Sequence, residues 1–337
     1  MRGLAAFALA CAACECPEGD PTCPDAPPEM SPWTVEEAMP GPRLEPGVTA
    51  LGQRVVVLGG FYQNEMQGLG ITSDVIEYDM FAPAGERWRM LSAAPVTWTH
   101  ANLASASATL YLLGGAEGTD FIPNGAAYAL DTDLPDAQWR AIAPIPASYE
   151  PRSAAGIVVA APFIYLLGGA TQDDAVASVI AYNFSNDVWT RLPDLPAKRS
   201  HPAAMRMPDG TLIVAGGLET IASSSAKADV WSLPPGGTEW QPRAPMLQAR
   251  GGCAYGVVFE QLICAGGEVG AAALHTVERY DPIANEWSML DDMPDERAGT
   301  QGAVVGGRLF VPGGAATLTY SPTNTLYAFA FLEALDN

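Results

Sequence analysis

The sequence predicts an all-β protein built from one unit of about 50 residues used six times. Three observations carry this reading. A Gly-Gly doublet recurs at 59-60, 114-115, 168-169, 216-217, 266-267 and 313-314, at intervals of 55, 54, 48, 50 and 47 residues. Each doublet closes a short β-rich run, and a tryptophan follows before the next unit in all but the last. The 34 Gly and 29 Pro among 337 residues call for frequent turns and short elements, while an apolar fraction of 48% is ample for a core.

Within a unit the elements follow in a fixed order. The run before each doublet is Val55–Leu58, Leu110–Leu113, Phe163–Leu167, Thr211–Val214, Leu262–Cys264 and Leu309–Val311, and a further apolar run precedes each across a short turn. After the doublet comes a variable polar loop, over 61–73, 116–125, 170–177, 218–227, 268–275 and 315–323. An aromatic strand follows, marked by Tyr78, Tyr128, Tyr182, Trp231, Tyr280 and Tyr327. A fourth short strand opens at Trp88, Trp139, Trp189, Trp240 and Trp287 and leads to a Pro or Met and a basic residue, as in WTRLPDLPAKR at 189–199.

Four short strands per unit, Gly-Gly closing the second and Trp opening the fourth, resemble the kelch repeat over roughly residues 32–337. The resemblance implies a six-bladed β-propeller, each blade a four-stranded antiparallel sheet around a central channel. The residue types suit it: glycine lets the chain bend sharply where blades crowd the axis, and Trp and Tyr fill the wedge between sheets.

The last unit lacks its Trp strand, and the missing piece stands at the other end of the chain. Trp33-Thr34-Val35, then Met39-Pro40 and Arg43, match the Trp-to-Arg pattern in register. Residues 32–37 are therefore expected to add beside 324–331 as the outer strand of the final blade, which removes an open sheet edge.

Residues 1–13 read as a signal peptide: Arg2, a short apolar run and small residues ending at cysteine. The pattern resembles a bacterial lipoprotein signal, with Cys11 or Cys14 as the acylated residue, and ordinary secretion is the alternative. Residues 14–31, rich in Pro and acid, read as an extended tether, so the propeller occupies 32–337. The implied location is exported: an outer-membrane lipoprotein, periplasmic or at the cell surface. In that oxidising context Cys16 and Cys23 can close a small loop. Cys253 and Cys264 fall on the two strands of one predicted hairpin, as a disulfide or as two buried thiols.

Seventeen basic against 38 acidic residues give a net charge of −21, which excludes nucleic acid as a partner class. No Ser-His-Asp order with a nucleophile elbow, no P-loop and no dinucleotide-binding glycine pattern occurs. Neither cysteine pair has zinc-site spacing and the acidic runs lack calcium-loop spacing, so no metal and no cofactor are expected. Six blades close on themselves, so a monomer is expected.

The sharpest local signal is a ring of arginines. Sixteen residues before each doublet (17 in the fourth unit) stand Arg43, Trp98, Arg152, Arg199, Arg250 and Arg297, one third of the chain's 15 arginines at one architectural position. His100 and His201 share a second repeated slot, 14 and 15 residues before their doublets. The arginines have two readings. They either pair with backbone carbonyls or acids of the blades, or they line the channel mouth as an electropositive funnel. In the funnel reading these eight residues bind a ligand, arginine forks favour an acidic peptide or acidic sugar, and Trp98 supplies a stacking wall. Glu117, Asp173, Asp174, Glu219 and Glu268 on the variable loops either neutralise the arginines or contact ligand hydroxyls. The functional expectation is a non-enzymatic binding module for a protein or acidic glycan. The alternative is an enzyme similar to sialate mutarotases, which are exported kelch propellers acting on an acidic sugar.

Overall fold

A computed structural model describes residues 31–64, 68–118 and 120–331. The signal peptide, Cys11, Cys14, Cys16, Cys23 and the tether up to residue 30 lie outside the described residues. The propeller forms a unit over Pro32–Asn337.

Six four-stranded antiparallel sheets form the blades. The first uses Gly47–Leu51, Arg54–Leu58, Val75–Asp79 and Trp88–Met90, and the second Leu103–Ala106, Thr109–Glu117, Ile122–Asp131 and Arg140–Ile142. The third, fourth and fifth repeat this over Gly156–Leu192, Ala203–Arg243 and Ala254–Leu290. In the sixth, Ala303–Val305, Arg308–Pro312 and Leu326–Ala330 are completed by Trp33–Val35, with Trp33 opposite Phe329 and Val35 opposite Tyr327. The expected ring closure is the observed one. The tryptophans fall within one residue of where the fourth strands begin.

The core is divided into wedges, one cluster between each pair of adjacent blades. Leu58, Trp98, Leu103 and Leu112 pack between the first and second blades, and Val57, Tyr78, Phe310 and Leu326 between the sixth and first. The outer-strand tryptophans fix these wedges with their polar edge. Each indole N–H donates to a carbonyl at the exit of the preceding blade: Trp33 to Asp291, Trp88 to Glu37, Trp139 to Ser92, Trp189 to Ala143, Trp240 to Pro193 and Trp287 to Ala244, all at 2.8–3.0 Å. A buried indole with its N–H satisfied adds area and direction at once. The spacing of one Trp per unit therefore reflects one such stitch per blade boundary.

The doublets are the inner counterpart of these stitches. In the third blade Gly169 N donates to the Arg199 carbonyl of the fourth blade at 2.7 Å, and a Cβ on Gly168 would lie 2.2 Å from that same oxygen. Gly60 and Trp98 repeat the arrangement between the first and second blades, with the same 2.7 Å bond. Gly314 N donates to the Arg43 carbonyl at 2.8 Å, so the joint also closes the ring. Both glycines of the third-blade doublet have positive φ, 63° and 120°, a conformation glycine alone adopts without cost. The Gly-Gly signal and the Arg-position signal are two halves of one blade-to-blade contact.

Cys253 and Cys264 are joined as a disulfide with their Cα atoms 5.6 Å apart, which resolves the two alternatives left by the sequence.

Candidate functional site

The arginines do not form an open funnel. Arg43, Arg152, Arg199, Arg250 and Arg297 are all buried, as is Trp98. Each guanidinium folds back into its own blade. Arg152 donates to the Gly168 carbonyl at 3.0 Å and to the carbonyl and hydroxyl of Ser178 at 2.7 and 2.6 Å. Arg250 does the same with Gly266 and Thr276 at 2.8 and 2.7 Å and adds an ion pair to the fully buried Glu278 at 2.7 Å. Arg43 pairs with Asp74 at 3.0 Å. Arg199 pairs with Asp229 at 2.7 Å and stacks 4.4 Å from the Trp231 ring. Arg297 reaches Asp295 at 3.3 Å and lies 4.9 Å from the Tyr327 ring. Asp74, Ser178, Asp229 and Thr276 each immediately precede a third strand. Four of the five arginines thus pin the turn after the doublet to the strand that follows, Arg297 holding Asp295 and the Glu296 carbonyl instead. The terminal nitrogens of all five are directed into the blade walls, while the buried Nε of Arg199, Arg250 and Arg297 has no hydrogen-bond partner among the described residues. Trp98 replaces that pin with packing in the first wedge. The expectations of an electropositive mouth and an acidic ligand held by arginines are corrected on this ground.

Two residues beyond each arginine position lies a second ring, and this one does face the channel. Glu45, His100, Ala154, His201, Gly252 and Gly299 occupy it, all with positive φ between 48° and 67°. Their backbones link in series: Glu45 N donates to Gly299 O, His100 N to Glu45 O, Ala154 N to His100 O, His201 N to Ala154 O and Gly252 N to His201 O, at 2.7–3.0 Å. A non-glycine residue held in this region costs roughly 1–3 kcal/mol and persists where its surroundings over-determine it. Glu45, His100, Ala154 and His201 carry that cost in a ring whose other two members are glycines.

Their side chains converge. His100 Nε2 lies 3.5 Å from Glu45 Oε2, and the two imidazole centroids are 5.3 Å apart and edge-to-face. Each Nδ1 is held by the hydroxyl of the preceding residue, His100 by Thr99 at 3.0 Å and His201 by Ser200 at 3.2 Å. Burial pushes both imidazoles down to about 4; for His201 the Glu45 carboxylate partly offsets this. Burial raises the Glu45 carboxyl, with His201 opposing. Both histidines are therefore neutral near pH 7.

Above this ring the mouth is a cavity of about 190 Å³ walled by Phe61, Phe121, Tyr320, Glu45, His100 and Glu268. Phe61 packs 5.4 Å from both Phe121 and Tyr320. Burial, aided by nearby Glu45, pushes the Glu268 carboxyl up to about 7. Below it, Tyr255 of the fifth blade accepts from Ile157 N of the third at 2.8 Å, and Gln301 accepts from Val48 N at 3.1 Å. These two side chains border both the small space under the ring and the separate ≈390 Å³ opening between the six innermost strands. The mouth cavity is thus floored.

Of the residues singled out from the sequence, His100 and His201 come together, His100 bordering the mouth cavity and both bordering the small space beneath it, whereas the five arginines and Trp98 stay in the blade walls. Glu268 faces the mouth. Asp174 and Glu219 pair with Lys198 and Lys227 at 2.5 and 2.6 Å rather than with arginine. Sequence reasoning misses Glu45, although its offset of two from Arg43 is the one His100 and His201 show from Trp98 and Arg199.

Comparison with known proteins agrees with this architecture. A family model described as the KLHDC2/KLHL20/DRC7 Kelch-repeats domain matches residues 99–314. The chain is 30% identical over 299 residues to Kelch-like protein terF of Aspergillus terreus, covering 82% of this chain and 63% of that protein. It is 28% identical over 271 residues to Kelch-like protein 38 of Mus musculus, covering 79% of this chain and 43% of that protein. The chain thus spans less than two thirds of the length of these fungal and animal relatives. Repeat spacing, blade topology and the family match converge on one conclusion: the chain belongs to the kelch-repeat family.

Proposed function

We propose that the propeller is a docking module that takes a protein partner on the face carrying the variable loops and the channel mouth. One observation carries this: four of the loops that follow the doublets wall the cavity at the channel mouth, through Phe61, Phe121, Glu268 and Tyr320, and loops of this set also bring apolar side chains into solvent. Leu69, Ile122, Ile221 and Tyr320, from four different loops, are 39%, 50%, 51% and 54% exposed. Loops that differ in length and sequence on a rigid scaffold suit recognition. With the arginines buried and Glu45 and Glu268 at the mouth, the polarity favours basic or apolar partner groups over an acidic peptide or glycan. The mutarotase-like alternative loses its support for the same reason, since it depends on arginines free to hold a carboxylate.

The export reading rests on the N-terminal sequence, with the anchor at Cys11 or Cys14. The Cys253–Cys264 disulfide supports it, because such bonds persist in oxidising compartments.

A photo-crosslinking amino acid at Tyr320 or Ile221, set against one at Phe81 or Ile283 in turns between third and fourth strands, tests the docking face in the cell that makes the chain. Discrete protein adducts from the first pair alone are expected. Adducts from the second pair alone, or equally from both, would overturn the assignment.

A further inference from the structure

We infer that Glu45, His100 and His201 form a binding site for one divalent first-row transition ion, of the zinc or ferrous type, at the channel mouth. The three side chains each offer one donor atom, and all three atoms lie within 4.8 Å of one another. Two imidazoles and one carboxylate are a ligand set for zinc or non-haem iron rather than for calcium or magnesium, which take oxygen donors. Two donors about 2.1 Å from one ion at the tetrahedral angle stand about 3.4 Å apart. His100 Nε2 and Glu45 Oε2, 3.5 Å apart, already have that separation. The third donor, on His201, lies within 4.8 Å of both.

The surroundings of the three donors support the assignment independently. Their backbones are locked by the chain of hydrogen bonds around the channel, so the donors are presented by rigid elements. The remaining three positions of that ring carry Ala154, Gly252 and Gly299, which leave room at the axis for an ion. The hydroxyls of Thr99 and Ser200 engage Nδ1 of the two histidines, which leaves Nε2 as the ligand atom and fixes the ring orientation, the role an outer-shell partner has for a metal-bound imidazole. Glu45 and His100 border both the mouth cavity and the small space beneath it. Three protein ligands leave coordination positions open, so the ion would present a Lewis-acidic site to an oxygen or nitrogen donor entering the mouth. This inference does not depend on the docking face: metal binding is measured on the isolated chain, without a partner.

The test titrates full-length protein, stripped with a chelator, with Zn²⁺ by calorimetry and with Co²⁺ by visible absorption. One ion per chain is expected, with a cobalt d–d band typical of mixed nitrogen and oxygen ligation. His100→Asn and His201→Asn keep a residue that tolerates positive φ, and each should weaken Zn²⁺ binding by at least about 100-fold. The near-isosteric Glu45→Gln should also weaken it while leaving apo thermal unfolding unchanged. His275→Ala should have no effect, although His275 lies on the surface 3.3 Å from Asp292 and 3.6 Å from Glu296. Binding that survives His201→Asn, or that is lost with His275→Ala, would overturn the site. So would a wild-type protein that takes up no stoichiometric ion, a result that needs no variant to interpret.

Discussion

The carbonyl of Arg199 explains why residue 168 is glycine: a methyl there would lie 2.2 Å from that oxygen, and φ is +63°. Gly168→Ala is therefore expected to cost roughly 3–4 kcal/mol, combining left-handed strain with overpacking. Gly52→Ala, at φ +58° with nothing within 4 Å, carries only the first contribution, about 1 kcal/mol. Chemical denaturation of both variants separates the two effects, and equal costs would contradict the joint. The arginines call for the same discrimination. Arg250 and Glu278 are both fully buried, so Arg250→Met leaves an unpaired buried carboxylate and should cost about 3–5 kcal/mol. Arg191→Met, at the exposed pair with Asp194, should cost under about 1 kcal/mol. Here the sequence signal was strong and its functional reading misleading. A repeated Arg beside a channel looks convergent, but the side chain is long enough to fold back to the residue before the third strand of its own blade. Glu45 stayed hidden for the opposite reason. Its slot is defined by a left-handed backbone conformation shared around a ring, and Glu, His, Ala and Gly share no chemistry that a sequence pattern would mark.

The strand Trp33–Val35 shows how an element far away in sequence is held in register. Beyond its pairing with Leu326–Ala330, its exit is held by Glu36, which accepts from Tyr78 at 2.8 Å and from Arg87 at 3.3 Å and also pairs with Arg308. Burial pushes the Glu36 carboxyl up, but the hydrogen bonds from Arg308, Tyr78 and Thr34 outweigh it and hold the group below its ordinary value of 4.5. A carboxyl whose folded pKa is depressed contributes stability above its unfolded pKa and loses it as pH falls. The stability difference between wild type and Glu36→Gln should thus be full at pH 7 and shrink as pH drops below about 4.5. Thermal unfolding of both proteins across that range checks it, and a pH-independent difference would contradict it. The strands were readable because their markers have single structural jobs: one Gly-Gly per inner joint, one indole N–H per blade boundary. Strand starts shifted by a residue, as at Trp189 and Trp287, because the stitch fixes the indole and not the first ladder bond.

Six blades with one wedge of core per boundary make the ring an all-or-none arrangement, since every blade needs both neighbours to bury its faces. The sixth blade draws its outer strand from the start of the domain, and Arg43 provides the carbonyl on which Gly314 docks. The ring is what places Glu45, His100 and His201 on a common axis, so the candidate site exists only in the closed molecule. The most direct test of the closed ring is the denaturant unfolding of two truncated chains, one starting at residue 31 and one at residue 46. The first should unfold like the full-length protein. The second loses Trp33, the strand and the Arg43 joint, and should be less stable by at least about 3 kcal/mol, the cost of removing one buried tryptophan alone. A chain starting at residue 46 that unfolds at the full-length midpoint would contradict the closed ring.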